Sequence, residues 1–233
     1  MSRARIDDGA PERAHRPARR SARLRRFATA AGVLALGVAI GLTSAWLAVR
    51  REAGIAAGPW RASLLAGSAD ADAWTRARVA IGGLLALNRE ETMYYVATHD
   101  SAGAPLRSRC SYRVTGTPPA ARWWSVTAYA DDFFLFEAPQ RRYSVNGETA
   151  RLDARGRFAF LTGPSEPAGA RPMQATATDG TASAAPAPAE PWLPTPGDRG
   201  LLLTLRVYNP EAALQAAPAS LDPPRIEPVG GCR

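Results

Sequence analysis

Apolar and polar residues alternate along most of the chain after residue 92, a pattern typical of β-strands with one buried face. The segments that follow this pattern are 93–99, 106–116, 123–130, 133–138, 141–147, 151–162 and 201–208, and 151–162 is expected to form two strand halves about Ala154–Gly156. Asp100–Pro105 separates the first two and predicts a hairpin. Asn209 and Pro210 are expected to stop the last strand after Tyr208, because proline cannot donate to the ladder. Many short strands and turns predict a mainly β domain, an antiparallel β-sandwich of jelly-roll type.

The strand at 123–130 has two different faces. Trp124, Val126 and Ala128 lie on the face expected to enter the core. The opposite face carries Trp123, Ser125, Thr127 and Tyr129. Because successive side chains of a strand point to opposite sides, the second face is either another packed layer or the aromatic wall of a cleft.

A helix is predicted before the strands, over residues 70–87. Its apolar side consists of Trp74, Ala77, Ile81, Leu84 and Leu85, at helical spacing. Ser68 or Asp70 is the expected N-cap, with Asp72 in the first turn. Because the polar side is too thin for a helix that lies on a bilayer, we expect this one helix to pack on the sandwich.

The longest apolar segment, residues 27–49, carries no charge over 23 positions. As a helix it extends about 34 Å, enough to cross the hydrocarbon layer of a membrane. A cleaved signal peptide is the alternative, but this run exceeds the usual apolar core of such peptides, and Arg50 and Arg51 follow it directly. We therefore expect a single retained transmembrane helix from Phe27 to Val49.

Charge is concentrated before this helix. Nine Arg residues lie in residues 1–26, whereas the chain after residue 50 is nearly neutral. The positive-inside rule then places the N-terminus in the cytoplasm, where the tail meets anionic lipid rather than nucleic acid. The expected location is the bacterial inner membrane, with the C-terminal domain in the periplasm. The predicted parts are an Arg-rich cytoplasmic tail (1–26), the transmembrane helix (27–49), a juxtamembrane linker (50–69) and an exported β-sandwich domain (70–233) with a mobile insert at 164–190.

Cys110 and Cys232 are the two cysteines of the sequence. Both lie on the side expected to be exported, where thiols oxidise, so we predict a disulfide between them. Closing a loop of this length would stabilise the fold by roughly 4 kcal/mol in the chain-entropy model. Two free buried thiols are the alternative.

Composition excludes several reaction types. All 29 basic residues are Arg, and Lys is absent. P-loop phosphate binding, pyridoxal phosphate chemistry and Ser–Lys hydrolysis all need a lysine. His99 is the one histidine after the apolar segment, which is too few ligands for a zinc site. We expect no cofactor, no metal site and no nucleic-acid partner.

Candidate catalytic residues are Asp131, Asp132, Glu137 and His99. The three acids follow the strand at 123–130 and could supply an acid and a base, although adjacent Asp residues after a strand more often form turns. His99 adjoins a turn, and no nucleophile elbow accompanies it. A structural role is therefore favoured for all four.

Arg206 is the charged residue of an otherwise uncharged strand. The opposite face of that strand is Leu201, Leu203, Leu205 and Val207. If the Arg206 side is covered, we expect an ion pair with Asp131, Asp132 or Glu137, which is the favoured reading. If it lines a cleft, Arg206 would bind an anionic group. The candidate ligand-binding residues are Arg206, Trp123, Tyr129 and Tyr208.

Six segments occur in an order typical of a known family. They are WTRARVAIGGLLALNREETMYY, THDSAGAPLRSRCSYRVTG, RWWSVTAYADD, RYSVN, PWLP and LTLRVYNP. Over residues 74–210 the chain resembles the domain-of-unknown-function 1214 family in its short membrane-anchored form. The resemblance implies a β-sandwich of jelly-roll type, often joined in relatives to a companion domain of unknown function 1254 that is missing here, and no settled activity. The insert before PWLP and the turn at Asp153–Gly156 depart from the family pattern.

These observations favour a membrane-anchored periplasmic β-sandwich of unknown activity that binds a small ligand or an envelope protein. The competing hypothesis is a periplasmic hydrolase or another carboxylate-dependent enzyme. That enzyme would need its acids and His99 to converge with Arg206 in one cleft.

Overall fold

The computed structural model describes residues 18–50, 54–63, 65–81, 87–138, 141–166, 190–230 and 232. The helices are α1 (Ala18–Arg50), α2 (Ala73–Ile81) and α3 (Ala212–Ala216), and a 3₁₀ helix spans Pro218–Ser220. The strands are β1 (Ile55–Ala57), β2 (Trp60–Ala62), β3 (Thr92–Ala97), β4 (Ser111–Gly116), β5 (Ala121–Ala130), β6 (Ser144–Asn146), β7 (Phe158–Gly163), β8 (Trp192–Pro194), β9 (Leu201–Pro210) and β10 (Arg225–Val229). The chain divides into two compact units, Met1–Arg51 and Glu52–Arg233.

Helix α1 belongs to the first unit. Its segment Arg23–Leu47 has 25 residues and a mean hydropathy of 1.9, which makes it long and apolar enough to cross a membrane. At 1.5 Å per residue this segment extends about 37 Å, more than the roughly 30 Å of a hydrocarbon layer. The predicted helix of membrane-spanning length is therefore present.

The strands of the second unit form two sheets. One has six strands in the order β1-β2-β3-β9-β5-β6, and the other has four in the order β10-β4-β7-β8. The domain is mainly β, as predicted, but it is not purely antiparallel, because β7 and β8 run parallel. Parallel neighbours need a long connection between them, and the insert between β7 and β8 supplies the necessary length.

The two sheets share one apolar core. On β9 the buried residues alternate, as predicted, at Leu201, Leu203, Leu205 and Val207. Trp124 of β5 stacks on Phe158 of β7 with ring centroids 4.5 Å apart, which joins the two sheets directly. Val126 and Ala128 are also buried in this core, so the predicted inner face of β5 is confirmed.

Two core aromatics satisfy their polar atoms on distant backbone. Trp60 Nε1 donates to the carbonyl oxygen of Pro224 at 2.7 Å, and the Tyr95 hydroxyl donates to that of Pro218 at 3.0 Å. Burial raises the pKa of Tyr95 to about 12, so this hydroxyl keeps its proton at neutral pH. The two bonds tie β2 and β3 to the chain before β10.

Part of the predicted linker 50–69 instead belongs to the six-stranded sheet. β1 pairs with β2, and β2 pairs with β3. Trp60 is fully buried, and Ala57 and Ala62 enter the core beside it. The strands are too short and too rich in alanine to show a period, and this is why the sequence pattern missed them.

The predicted hairpin of β3 and β4 forms only at its turn. Asp100 Oδ1 accepts hydrogen bonds from the N–H groups of Ala102 and Ala104 at 2.9 and 2.8 Å, and His99 bridges to Pro105. Beyond the turn the strands separate, because β3 pairs with β2 and β9 while β4 pairs with β7 and β10. The turn thus carries the chain from one sheet to the other.

Residues 133–138 form a loop rather than the predicted strand. Phe133 has a φ of 66°, in the left-handed region that interrupts an extended chain. Leu135 makes an isolated bridge with Tyr129, and Phe136 is buried. Phe134 is 71% exposed, so the alternation of a half-buried strand is absent.

Two other strand boundaries differ from prediction. β9 continues to Pro210, which pairs with Ala121, because a proline at the end of a strand removes no necessary donor. Residues 151–162 contain one strand, β7, and Leu152 contributes only an isolated bridge to Phe158.

Helix α2 begins later than predicted. Asp72 Oδ1 accepts a hydrogen bond from the N–H of Thr75 at 2.7 Å, so Asp72 is the N-cap instead of Ser68 or Asp70.

The expected packing of α2 on the sheets is wrong for Trp74 and Ile81, whereas Ala77 is half-buried. Trp74 is 49% and Ile81 is 58% exposed. Leu84 and Leu85 lie outside the described residues, as does most of the predicted insert, residues 167–189. Helical spacing predicted the helix, but it carries no information about the surface that covers an apolar side.

The predicted disulfide between Cys110 and Cys232 is confirmed. The two Cα atoms are 5.5 Å apart, although the residues are separated by 122 positions in sequence. Cys110 immediately precedes β4 and Cys232 follows β10, the neighbouring strand, in which Val229 is paired with Ser111. The bridge thus closes one end of a strand pair that is already in register.

Candidate functional site

The outer face of the six-stranded sheet carries a positive charge among aromatic rings. Because Leu205 and Val207 of β9 enter the core, Arg206 points to the opposite side. The strand register places Tyr94 of β3 and Ser125 of β5 on either side of Arg206. We call the residues Tyr94, Trp123, Thr127, Tyr129, Arg206 and Tyr208 the Arg206 face.

Neutral groups hold the Arg206 guanidinium in place. Its Nη1 donates to Thr127 Oγ1 at 3.2 Å, and its Nη2 donates to the Tyr129 hydroxyl at 2.9 Å. The guanidinium carbon lies 5.9 Å from the ring centroid of Tyr94 and 5.5 Å from that of Tyr129, within the range of cation–π attraction. These contacts orient the cation and leave its full charge in place.

Aromatic rings extend the Arg206 face along the sheet. Trp123 and Tyr208 lie on neighbouring strands with ring centroids 5.0 Å apart and planes tilted by 59°. Tyr94 is buried, and its hydroxyl accepts a hydrogen bond from the N–H of Leu87 at 3.2 Å. Trp123, Tyr129, Arg206 and Tyr208 are only partly buried. All four predicted ligand-binding residues therefore share one partly accessible surface.

The predicted ion pair of Arg206 with Asp131, Asp132 or Glu137 is wrong for this structure. Asp131 and Asp132 pair with Arg199 instead. Within the described part of the chain, no carboxylate forms an ion pair with Arg206. The register explains this difference, because Ala130, next to Asp131, is paired with Leu201, so that Arg206 lies further along β9.

Asp131 and Asp132 form an ion-paired turn at the end of β5. Arg199 Nη2 lies 3.5 Å from Asp131 Oδ1 and contacts Asp132 Oδ2 more closely. The hydrogen bond from Arg199 lowers the pKa of Asp132, aided by the N–H of Phe134, which donates to Asp132 Oδ1 at 3.2 Å. Gly200 is required here, since a Cβ at that position would lie 2.8 Å from the Cβ of Asp131. The ionised Asp132 is well suited to hold a turn.

The structure does not bring the four candidate catalytic residues together in one site. His99 lies at the turn between β3 and β4, with Nδ1 2.9 Å from Thr98 Oγ1. Asp131 and Asp132 are held by Arg199, and Glu137 is exposed in the following loop. Among the described residues, no three His, Cys, Asp or Glu side chains cluster so that they could hold a metal ion. Catalysis by these four residues stays a prediction.

Sequence reasoning placed Thr127 on the same strand face as Trp123 and Tyr129, but it missed Tyr94 of the Arg206 face. Thr92 to Tyr95 are all buried, so neither burial nor hydrophobicity distinguished the face of Tyr94 from that of Met93 and Tyr95. Its position beside Arg206 depends on the pairing of β3 with β9, and no local pattern reveals a pairing across so much intervening chain.

The fold and the Arg206 face define a class of protein: a two-sheet β domain with a cationic, aromatic outer surface, preceded by a helix of membrane-spanning length. The family described as "Protein of unknown function (DUF1214)" matches residues 91–212, just over half of the chain. The chain belongs to the DUF1214 family. The match includes β3 to β9 and therefore the whole Arg206 face; residues 74–90 of the predicted resemblance precede it.

Two solved structures are similar to this chain. The VPA0106 protein from Vibrio parahaemolyticus is 22% identical, with a TM-score of 0.49 over 69% of this chain and 36% of that one. An uncharacterized protein from Burkholderia cenocepacia is 15% identical, with a TM-score of 0.38 over 61% of this chain and 31% of that one. The chain thus spans about a third of the length of each. No curated protein matches it.

Proposed function

We propose that this protein is a binding module anchored in the bacterial inner membrane. Residues 27–49 cross the membrane, the Arg-rich tail stays in the cytoplasm, and a jelly-roll-type β-sandwich lies in the periplasm. The Arg206 face binds the anionic group of a small ligand or of an envelope protein, and the module itself catalyses no reaction.

The observation that carries the proposal is the set of hydrogen bonds that Arg206 makes. A guanidinium offers five N–H donors, and the described contacts engage Arg206 with two neutral hydroxyl groups. A carboxylate or phosphate would accept further hydrogen bonds and neutralise the charge. Trp123 and Tyr208 beside it favour a ligand that also carries a ring or another apolar part.

Three features support the proposed location. Arg23–Leu47 is long and apolar enough to span a membrane. Nine Arg residues precede this apolar segment, which favours a cytoplasmic N-terminus. The disulfide between Cys110 and Cys232 favours an oxidising compartment for the second unit.

The location is tested with reporters fused after Arg233. Alkaline phosphatase folds only in the periplasm and should be active there, whereas a green fluorescent protein fusion should stay dark. The opposite pair of results would overturn the orientation. The mass of the purified protein distinguishes a retained anchor from a cleaved signal peptide, since cleavage would remove the tail and most of the apolar segment.

Ligand binding is tested on the full chain in detergent micelles, with benzoate as the anionic probe and benzamide as its neutral analogue. Benzoate should raise the unfolding temperature, because a ligand that binds only the folded state stabilises it. Benzamide should have little effect. Arg206→Met should weaken the benzoate effect at least about tenfold, since it removes a charge-assisted contact.

Arg122→Met is the matched control, because Arg122 is an exposed arginine of β5 outside the Arg206 face. It should keep the benzoate response of the natural protein. Equal responses to benzoate and benzamide, or an undiminished response in Arg206→Met, would argue against this surface as the anion site. The carboxylate-dependent enzyme has less support, because Arg199 engages Asp131 and Asp132 away from Arg206.

A further inference from the structure

A second arginine, Arg142, is buried with hydrogen-bond donors that the described residues do not satisfy. The residue is 8% exposed. Its Nε and Nη1 are both buried and have no hydrogen-bond partner in the described part of the chain. Its Nη2 lies 3.9 Å from Glu166 Oε1, close enough for an ion pair but too far for a hydrogen bond. Most of the hydrogen-bonding capacity of this side chain is therefore unused.

Trp192 lies beside Arg142 and carries a further unpaired donor. The Arg142 guanidinium carbon lies 5.2 Å from the centroid of the Trp192 ring. Trp192 Nε1 is also buried without a hydrogen-bond partner among the described residues. Arg142 precedes β6, the edge strand of the six-stranded sheet, and Trp192 begins β8, the edge strand of the four-stranded sheet. The two side chains thus meet where the open edges of the two sheets approach each other.

The backbone before β6 turns Arg142 inward. Arg141 has a φ of 54°, and its N–H donates to the carbonyl oxygen of Ala138 at 2.8 Å. Arg141 and Tyr143 are exposed on either side of the buried Arg142. A left-handed conformation is costly for a residue other than glycine and persists only where the surroundings hold it. Keeping the Arg142 side chain inward therefore costs conformational free energy at Arg141.

The unpaired groups define the chemistry of what would satisfy them. All of them are N–H donors, so the missing group must be an acceptor, and one donor side chain is a permanent cation. Buried donors are costly when they stay unpaired, and an anionic acceptor forms the stronger bonds with them. Glu166 already supplies one negative charge at ion-pair distance, which disfavours a doubly charged phosphate. A singly charged carboxylate meets both requirements.

We propose that Arg142 and Trp192 form a binding site for the carboxylate of a small organic acid, separate from the Arg206 face. The unpaired nitrogens of Arg142 and the indole N–H of Trp192 donate to the carboxylate oxygens. The Trp192 ring shields the bound group from water and lies against the guanidinium. Glu166 limits the site to a single negative charge.

The test is an acetate titration of the full chain in detergent micelles at constant ionic strength. It is made in an Arg206→Met background, so that the Arg206 face contributes nothing and failure of either site is distinguishable. The readouts are the unfolding temperature and the ¹⁵N–¹H resonance of the Trp192 indole, assigned by its disappearance in Trp192→Phe. Acetate should raise the unfolding temperature and move this resonance, whereas acetamide should do neither.

The variants separate the two donors. Arg142→Met should abolish the acetate response. Trp192→Phe keeps a ring against the guanidinium but removes the N–H, and it should weaken acetate binding about tenfold, the effect of one hydrogen bond to a charged group. Arg122→Met is the matched control, since Arg122 is an exposed arginine of β5 that takes no part in positioning Arg142 or Trp192, and its response to acetate should be unchanged.

Several outcomes would overturn the site. An undiminished acetate response in Arg142→Met would show that acetate binds elsewhere, and so would a Trp192 resonance that stays fixed at saturating acetate. A larger response to inorganic phosphate than to acetate would contradict the assignment to a carboxylate. If Arg142→Met does not fold, Trp192→Phe and the resonance shift still decide the question.

Discussion

At the scale of single residues, the same residue type has different roles because its surroundings differ. Arg199 is exposed and neutralised by Asp131 and Asp132, Arg206 is partly buried among hydroxyl groups and rings, and Arg142 is buried beside a tryptophan. Composition alone could not separate them, because all basic residues of this chain are arginine. Burial and the identity of the contacts separate them.

The ion pair of Asp132 with Arg199 should make stability depend on pH. The pKa of Asp132 lies below its ordinary value of 3.8, so its contribution is fully present above pH 3.8 and is lost as the pH falls through the lower folded-state pKa. The unfolding temperature of the natural protein should therefore exceed that of Asp132→Asn at about pH 6, and the gap should narrow towards about pH 2.5.

Arg199→Met provides the control for this pH dependence, because it removes the partner of Asp132. Between about pH 6 and about pH 2.5, the unfolding temperature of Arg199→Met should therefore fall less than that of the natural protein. Asp153, whose pKa is lowered by the N–H groups of Arg157 and Arg155, retains part of the acid sensitivity in both variants. An Asp132→Asn protein with the full pH dependence of the natural chain would contradict the assignment.

At the scale of elements, strand faces were more predictable than strand partners. The alternation along β5 and β9 correctly separated Trp124 and Leu205 in the core from Trp123 and Arg206 outside it. The Asp100 turn was also predicted, but the hairpin was wrong because a turn reports only that the chain reverses. Partners such as β3 and β9 are distant in sequence, and their pairing depends on the burial of both sheet faces together.

The same limit explains what could be predicted of the site. Arg206, Trp123, Tyr129 and Tyr208 could be placed on strand faces from alternation alone. Their assembly into one surface, and the addition of Tyr94, required the order of the strands. No sequence pattern predicted the contact between Arg142 and Trp192, because the two residues meet across the edges of two different sheets.

The hairpin of β1 and β2 depends on Trp60. Trp60→Phe keeps most of the buried ring but removes the N–H that donates to Pro224, which leaves a buried carbonyl unpaired. The free energy of unfolding, measured by urea titration, should fall by about 1–3 kcal/mol.

Trp74→Phe makes the same change at a tryptophan of α2 that is about half exposed. It should alter the free energy of unfolding by less than about 0.5 kcal/mol. Equal losses in the two variants would show that the hydrogen bond to Pro224 is not what distinguishes Trp60.

At the scale of the whole molecule, the chain is closed on itself by one covalent bond. Cys110 and Cys232 enclose β4 to β10, which includes the central strand β9 and both proposed binding sites apart from Tyr94. Two hydrogen bonds join the same parts of the chain, because the side chains of Trp60 and Tyr95 donate to the backbone carbonyls of residues 224 and 218. The early and late parts of the second unit are therefore fastened to each other.

Reduction of the disulfide should lower the free energy of unfolding by roughly 4 kcal/mol, because the unfolded chain regains the freedom of a loop this long. Urea titrations with and without reductant measure this difference. A double variant, Cys110→Ser with Cys232→Ser, should match the reduced natural protein and show no response to reductant. Equal stability of the oxidised and reduced forms would contradict the expected contribution.

The position of β9 determines the order in which the domain can be made. β9 lies between β3 and β5, yet it leaves the ribosome after both of them. The nascent chain therefore carries two unpaired strand edges until Leu201–Pro210 arrives, and Cys232 follows later still. Unpaired edges readily join those of other chains. A chaperone that shields the free edges of β3 and β5 would therefore suppress aggregation most before β9 has been synthesised.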